Sequence, residues 1–361
     1  MNKTLKFINK DKSAFLPTLK ARVDTYFHEK KISRHANPLM IFKTVFFLSL
    51  AMVFYLVIIS SILPVYIQLV FAMLLGISMA FIGFNVCHDA LHGAYSSNRN
   101  VNKVLGFIFN IIGANTYVWN LSHNIVHHSY TNIVDHDGDI EIAPGLIRVH
   151  ADDKANPVQR YQHIYAFFLY SLTTLSWFFR KDYLLFFKKT IGASHVNNHP
   201  KKEYFKLFIY KGLYYFLFIV LPLLVMHLTP AQFIVGFVAM NLAEGLVLGL
   251  VFQLAHVVED TAIRQAENNS IEDAWAVHQL KTTANFAPTS KLANFLCGGL
   301  NLQVEHHLFP KICHVHYSKL SAIVKQTAQE YDLPYFVNRS FFSALKSHYF
   351  FLKKLGRAEC V

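Results

Sequence analysis

The chain has 361 residues, 53% of them hydrophobic and 15% aromatic, and only 16% carry charge. Soluble domains average about 25% charged residues, so an ordinary solvated globule is excluded. The 33 Phe and 18 Tyr likewise exclude a disordered chain. The formal charge is +12, from 34 Lys and Arg against 22 Asp and Glu, and there are 20 His. Cys87, Cys297, Cys313 and Cys360 form no CxxC pair, which gives neither a disulfide framework nor a zinc knuckle.

In chain order, the first forty residues carry nine Lys and Arg, too long a stretch for the head of a signal peptide. They read as a cytosolic basic segment, 1–40, ahead of one membrane domain, 41–361. Apolar runs at 41–62 and 65–87 form a first predicted hairpin, and runs at 207–226 and 231–252 form a second. Each is close to the roughly 20 residues needed to cross a bilayer. The linkers at 61–64 and 227–230 contain no Lys or Arg, whereas 88–204 and the tail beyond His256 carry eleven each. The positive-inside rule therefore sets both hairpin tips away from the cytosol and both termini within it. The aromatic-rich stretches 101–119 and 161–179 read as helices lying in the interface, because a fifth crossing would carry six basic residues of 180–204 to the far side. The basic balance is thus a topology signal. No nucleic-acid motif accompanies it. The acidic run 135–141 lacks the spacing of a calcium loop and reads as a solvated turn.

Three histidine clusters follow: His88-Asp-Ala-Leu-His92, His123-Asn-Ile-Val-His127-His128 and Gln303-Val-Glu-His306-His307. Residues four apart share a helix face, so His88 with His92, and His123 with His127, can each grip one ion. Adjacent residues point about 100° apart, so His127 and His128 suit two neighbouring metals. A helix from Val65 to His92 would be about 42 Å long and would overshoot the hydrocarbon, holding its histidines just above the cytosolic surface. His256 lies one turn beyond the fourth apolar run. Imidazole suits Fe, Zn, Cu and Ni alike.

The boxes HDALH, HNIVHH and QVEHH, with the flanking strings WNLSHNIVHHSYTN and NLQVEHHLFP, resemble those of the membrane fatty acid desaturases, a histidine-box di-iron family. The resemblance covers roughly residues 60–320. A third box beginning with Gln303 is similar to the front-end subgroup, which inserts a double bond between an existing one and the carboxyl end of an acyl chain. The resemblance implies an all-α integral membrane fold of four spans in two hairpins, with a cytosolic helical cap holding the di-iron site. It implies metal ligation by His88, His92, His123, His127, His128, His256, His306 and His307, with Gln303 holding iron directly or through a water. It also implies two iron ions, dioxygen as co-substrate and a fatty acyl lipid or acyl-CoA as substrate. No fused haem motif is found, so electrons come from a separate b-type cytochrome or ferredoxin.

Eight neutral imidazoles leave about four positive charges on two Fe(II) ions, and carboxylates behind the ligands answer that charge. Asp89, Asp135, Asp137, Glu259 and Glu305, each beside a box or box ligand, are the candidates. Tyr117, Trp119 and Asn120 are candidate walls of the acyl tunnel. Glu244, an acid inside the fourth span, is costly unless partnered and is a further candidate. Three rival readings remain at this level, one of them a non-catalytic membrane protein that keeps metal only for stability, against which the intact boxes weigh. An acyl hydroxylase would use the same ligands. A divalent-metal transporter would place its ligands near the bilayer midplane, where none of the clustered histidines falls.

Overall fold

The computed structural model describes residues 5–9, 13–191, 194–195 and 199–357. We number its helices α1 (Phe15–Lys30), α2 (Pro38–Ile59), α3 (Val65–Leu91), α4 (Arg99–Ile111), α5 (Thr116–Tyr130), α6 (Gln162–Ser171), α7 (173–187), α8 (Lys201–Val225), α9 (Pro230–His256), α10 (Trp275–Thr282), α11 (Lys291–Leu296), α12 (Gln303–Leu308), α13 (Tyr317–Glu330) and α14 (Phe341–Arg357). Among the described residues, α2, α3, α8 and α9 are long and apolar enough to cross a membrane.

The spans begin where local chemistry starts a helix. Asn37 accepts a hydrogen bond from the Met40 amide while Pro38 opens α2. Thr229 and Gln232 cap α9 reciprocally, with Pro230 in its first turn. Three expected edges move: α2 starts at Pro38 rather than 41 and ends at Ile59 rather than 62, before Ser61 turns left-handed. α8 starts at Lys201, six residues before its apolar window, because a charged first turn extends below the hydrophobic run. α3 and α9 each run 27 residues, about 40 Å. They cross at Gly76, where a Cβ would run into the Met240 carbonyl, so glycine permits the closest approach. α2 and α8 flank that pair and turn Phe42, Val45, Val53 and Leu56, and Phe205, Ile209, Leu223 and Leu224, outward.

Beyond one end of the spans the remaining helices build a cap. In α1 the residues Phe15, Leu19, Val23 and Phe27 repeat every fourth position and pack against Leu320, Val324 and Ala328 of α13. Arg22 of α1 pairs with Glu330 at the far end of α13. Two parallel pairings tie distant segments together, Lys6–Phe7 with Ser270–Ile271 and Ala284–Phe286 with Phe336–Asn338.

Both expected interfacial helices differ from expectation. The 101–119 stretch breaks after Ile111, and α5 leaves α4 at a bend of 111°. Gly113 there has a φ of +103°, and Asn115 caps the new helix by accepting from the Tyr117 and Val118 amides. The 161–179 stretch turns at Leu172 and continues as α7 to Phe187. Asp182 of α7 fastens this corner: it accepts from the Asn115 amide, the Trp177 indole and the Lys211 ammonium of α8.

Candidate metal centre

The histidines reach one place from four helices. A π-helical turn at Gly83–Cys87 widens α3 just before His88, and a second runs through Asn120–His127 of α5. His256 is the last residue of α9, and His306 and His307 lie on α12, every residue of which is buried. Candidate ligand atoms fall into groups lying within 4.8 Å of one another: His88, His92, His123 and His306; His127, His256 and His307; and His128, His306 and His307. The expected pairing of His123 with His127 on one ion is not the grouping these distances give. Their rings stack at 4.9 Å but their nitrogens join different groups, because a π turn takes more residues per turn and residue i+4 stops short of the same face. His128 sits between the two groups.

The donor set fits metal. The Nε2 atoms of His88, His92, His123 and His127 are buried with no hydrogen-bond partner, which costs stability unless something binds them. The Nε2 atoms of His128 and His306 face each other at 3.0 Å, where two lone pairs repel unless a proton or a cation lies between them. The Gln303 amide joins the second group, its nitrogen 2.8 Å from His256 Nε2 and 3.3 Å from His307 Nε2. Turned over, the amide presents its oxygen to the same point.

Carboxylates and amides fix the far side of the rings. Asp137 accepts from His127 Nδ1 at 2.8 Å, and Asp139 faces His123 Nδ1 at 3.1 Å. The Gln279 amide oxygen accepts from His307 Nδ1 at 2.8 Å. These contacts place the Nδ1 proton and turn the Nε2 lone pair inward. Asp139 and Gln279 lie outside the sequence-derived candidates. Asp139 stands two residues beyond Asp137 in the same acidic run, a spacing that could have signalled it; Gln279 has no local signal.

The other expected carboxylates go elsewhere. Asp89 stays 3.9 Å from His88 Nδ1 and accepts instead from the His314 ring and amide, at 2.9 and 3.0 Å. Glu305 faces away from the cluster, accepting from Tyr335 at 2.6 Å and Asn285 at 2.8 Å, because it precedes His306 by about 100° of helix. Asp135 and Glu259 are exposed on turns, so neither is brought to the histidines. His314 itself is buried. The Lys43 ammonium lies 2.7 Å from its Nε2, and that cation beside Asp89, Cys313 and His314 argues against an ion in this smaller group.

Electrostatics favour neutral rings at His123, His128, His306 and His307. Burial pushes His123 down to about 3 despite Asp139. Burial, reinforced by neighbouring imidazoles, holds His128, His306 and His307 well below the usual histidine range. At His127 burial also acts downward, but the charge and hydrogen bond of Asp137 outweigh it and raise this ring.

An apolar cavity of about 140 Å³ abuts the cluster. His88, His123 and Gln303 form one part of its wall, with Phe84, Phe109, Trp119, Trp177, Leu248 and Phe252 around them. Trp119 stacks on His123 at 4.5 Å. The other expected tunnel residues do not line it: Tyr117 bonds His199, Asn120 accepts from Asn124, and Glu244 is buried between spans with one carboxyl oxygen unpartnered. On α5 each successive residue turns away by a large angle, so Trp119, Ser122 and His123 reach the cavity while Tyr117 and Asn120 do not.

A histidine cluster at the ends of apolar spans, open to an apolar cavity, defines a membrane enzyme that works on lipid chains at a metal centre. The family model for fatty acid desaturases matches residues 64–339, and the chain belongs to the fatty acid desaturase family, oxidoreductases that use histidine-box metal. It is 37% identical to the sn-1 linoleoyl-lipid 6-desaturase of Synechocystis sp., over 96% of this chain and 97% of that one. It is 35% identical to the acyl-lipid (8-3)-desaturase of Physcomitrium patens, over 99% of this chain and 74% of that one. With the acyl-lipid (8-3)-desaturase of Mortierella alpina it shares 31% over 95% and 78%.

Proposed function

We propose that this protein is a front-end acyl desaturase with two iron ions, in which His88, His92, His123 and His306 hold one ion and His127, His256 and His307 the other. His128 stands between them, and Gln303 acts beside His256 directly or through a water. The observation that carries this reading is the set of buried, unpartnered Nε2 atoms opening onto an apolar cavity. The Gln-led third box and the names of the 6- and (8-3)-desaturase relatives support the front-end position. The histidine side faces the cytosol, by the distribution of basic residues.

An unactivated methylene has no acidic proton, so acid–base groups alone cannot start the reaction. The bound iron supplies dioxygen activation. Two hydrogens leave adjacent methylenes, and dioxygen becomes two waters with two further electrons and two protons. Those electrons come from a separate b-type cytochrome or ferredoxin. The chain's own part is to bury the rings and to orient them through Asp137, Asp139 and Gln279. Trp119, Phe252 and Leu248 keep water from the acyl chain. The substrate is a fatty acyl lipid or acyl-CoA drawn from the bilayer.

The test is fatty acid analysis of a host expressing the chain and fed linoleate, with double-bond location by mass spectrometry and a His127→Ala control. A new double bond on the carboxyl side of the existing ones, absent in the control, is expected. A hydroxylated product, or a new bond on the methyl side, would overturn the reading.

A further inference from the structure

A front-end enzyme must measure its position from the carboxyl end, which requires a polar contact at a fixed distance from the metal centre. The cavity beside the histidines is polarised in this sense. Gly83, Phe84, Leu248, Gly249 and Leu300, contributed by the spans and the cap, make one wall apolar. The wall from α7 carries Thr173, Ser176 and Lys181 along with Trp177 and Leu185, and Asp139 lines the cavity beside the lysine. Lys181 is the only Lys or Arg among the described residues that line it. Its side chain is 36% exposed, which puts it at the rim, and the buried hydroxyl of Thr173 has no partner.

The Lys181 ammonium makes a single long ion pair, 3.4 Å to Asp139, so most of its three donors are uncommitted. Asp139 in turn sits 3.1 Å from His123 Nδ1. Two contacts therefore separate the ammonium from a ring that faces the reacting carbons. A group held by Lys181 leaves room for only a few methylenes before the chain reaches the imidazoles.

We propose that Lys181 binds the carbonyl oxygen of the acyl group at the cavity rim and thereby fixes how far from the carboxyl end the double bond is placed. An ester and a thioester present the same carbonyl, so the contact serves a lipid or a CoA carrier. The proposal rests on the front-end reading above.

The experiment uses Lys181→Met and Lys181→Arg in the full chain. Double-bond position is read in the linoleate-fed host. Binding is measured on the purified, iron-loaded protein in detergent with four probes: a linoleoyl ester phospholipid, its alkyl-ether analogue of equal length, linoleoyl-CoA and its thioether analogue. Wild type is expected to prefer the carbonyl form of one pair by about tenfold, the scale of one charge-assisted hydrogen bond. That pair identifies the carrier. Lys181→Met loses the preference and spreads the product over several positions, while Lys181→Arg keeps both. The proposal is overturned if Lys181→Met retains the wild-type position and preference. It is also overturned if this variant loses its iron, since the lysine would then act only through Asp139. A wild-type product on the methyl side would instead sink the front-end reading, and the binding arm would still judge the carbonyl contact.

Discussion

Replacing Asp137 by asparagine tests whether the carboxylates behind the rings hold the metal. Asp137 is buried, and its two oxygens accept three hydrogen bonds: His127 Nδ1 at 2.8 Å and the Asn132 amide at 2.9 Å on Oδ2, and the Asp139 amide at 3.1 Å on Oδ1. All three partners are donors. Whichever way an asparagine amide turns, its NH₂ group meets an N–H, so at least one bond becomes a repulsion. If the amide oxygen stays toward His127, the ring keeps its orientation but loses the charge that draws its Nδ1 proton. The loss is about 1.5–3 kcal/mol, the worth of one hydrogen bond to a charged group. Expressed on the ion at His127, His256 and His307, this is about tenfold to a hundredfold in affinity, the usual effect of removing such a partner. Equilibrium dialysis of the purified protein against buffered Fe(II) measures it, with Asp135→Asn beside it as an exposed neighbour. One site should weaken in Asp137→Asn and neither in Asp135→Asn. Equal affinities in wild type and Asp137→Asn, or equal losses in both variants, would refute the reasoning.

Lys211→Met should leave Asp182 buried without its cation and cost about 3–5 kcal/mol, seen as a lowered melting temperature in detergent. The double change with Asp182→Asn should recover part of that loss; no recovery would mean the pair is not coupled. Burial holds His278 and His348 down to about 4, so below about pH 6.5 the unfolded chain binds protons that the folded one refuses. Each should therefore remove on the order of 3 kcal/mol of stability as the pH falls from 6.5 to 4. Denaturation across that range should show a shallower slope in His348→Leu than in wild type. Gly76→Val should drive α3 from α9 and abolish a defined melting transition, whereas Gly236→Val, where nothing lies within 4 Å, should not.

Four spans and three boxes were legible because each rests on local pattern, apolar run length or histidines at helical spacing, whereas a role for the isolated His256 came from the family resemblance. The division of those histidines between two groups was not, because it depends on the π turn at Asn120–His127 that the local spacing does not announce. The carboxylates show the same limit. Proximity in sequence found Asp137 yet equally suggested Asp135 and Glu259, which the chain turns to solvent, and Glu305, which a single step of helix carries to the opposite face. Gln279 reaches His307 across 28 positions and Asp182 joins three segments at a corner, contacts that only the packed cap creates. The end of α4 was hidden in an aromatic run whose periodicity continues past Gly113.

The docking of α1 on α13 bears on the order in which the molecule is made. Phe15 and Leu19 emerge from the ribosome early, but their partners Leu320 and Val324 are some three hundred positions later. At about 5–20 residues per second, the apolar stripe of α1 waits roughly 15–60 s for its partner. Over the same interval His88 and His92 are already inserted beside the bilayer while His306 and His307 have yet to be synthesised. Completion of the candidate histidine groups, each of which includes His306 or His307, is therefore a late, post-insertion event. Until α12 and α13 arrive, the nascent chain presents both an unsatisfied apolar helix and half an ion site to whatever chaperone attends it.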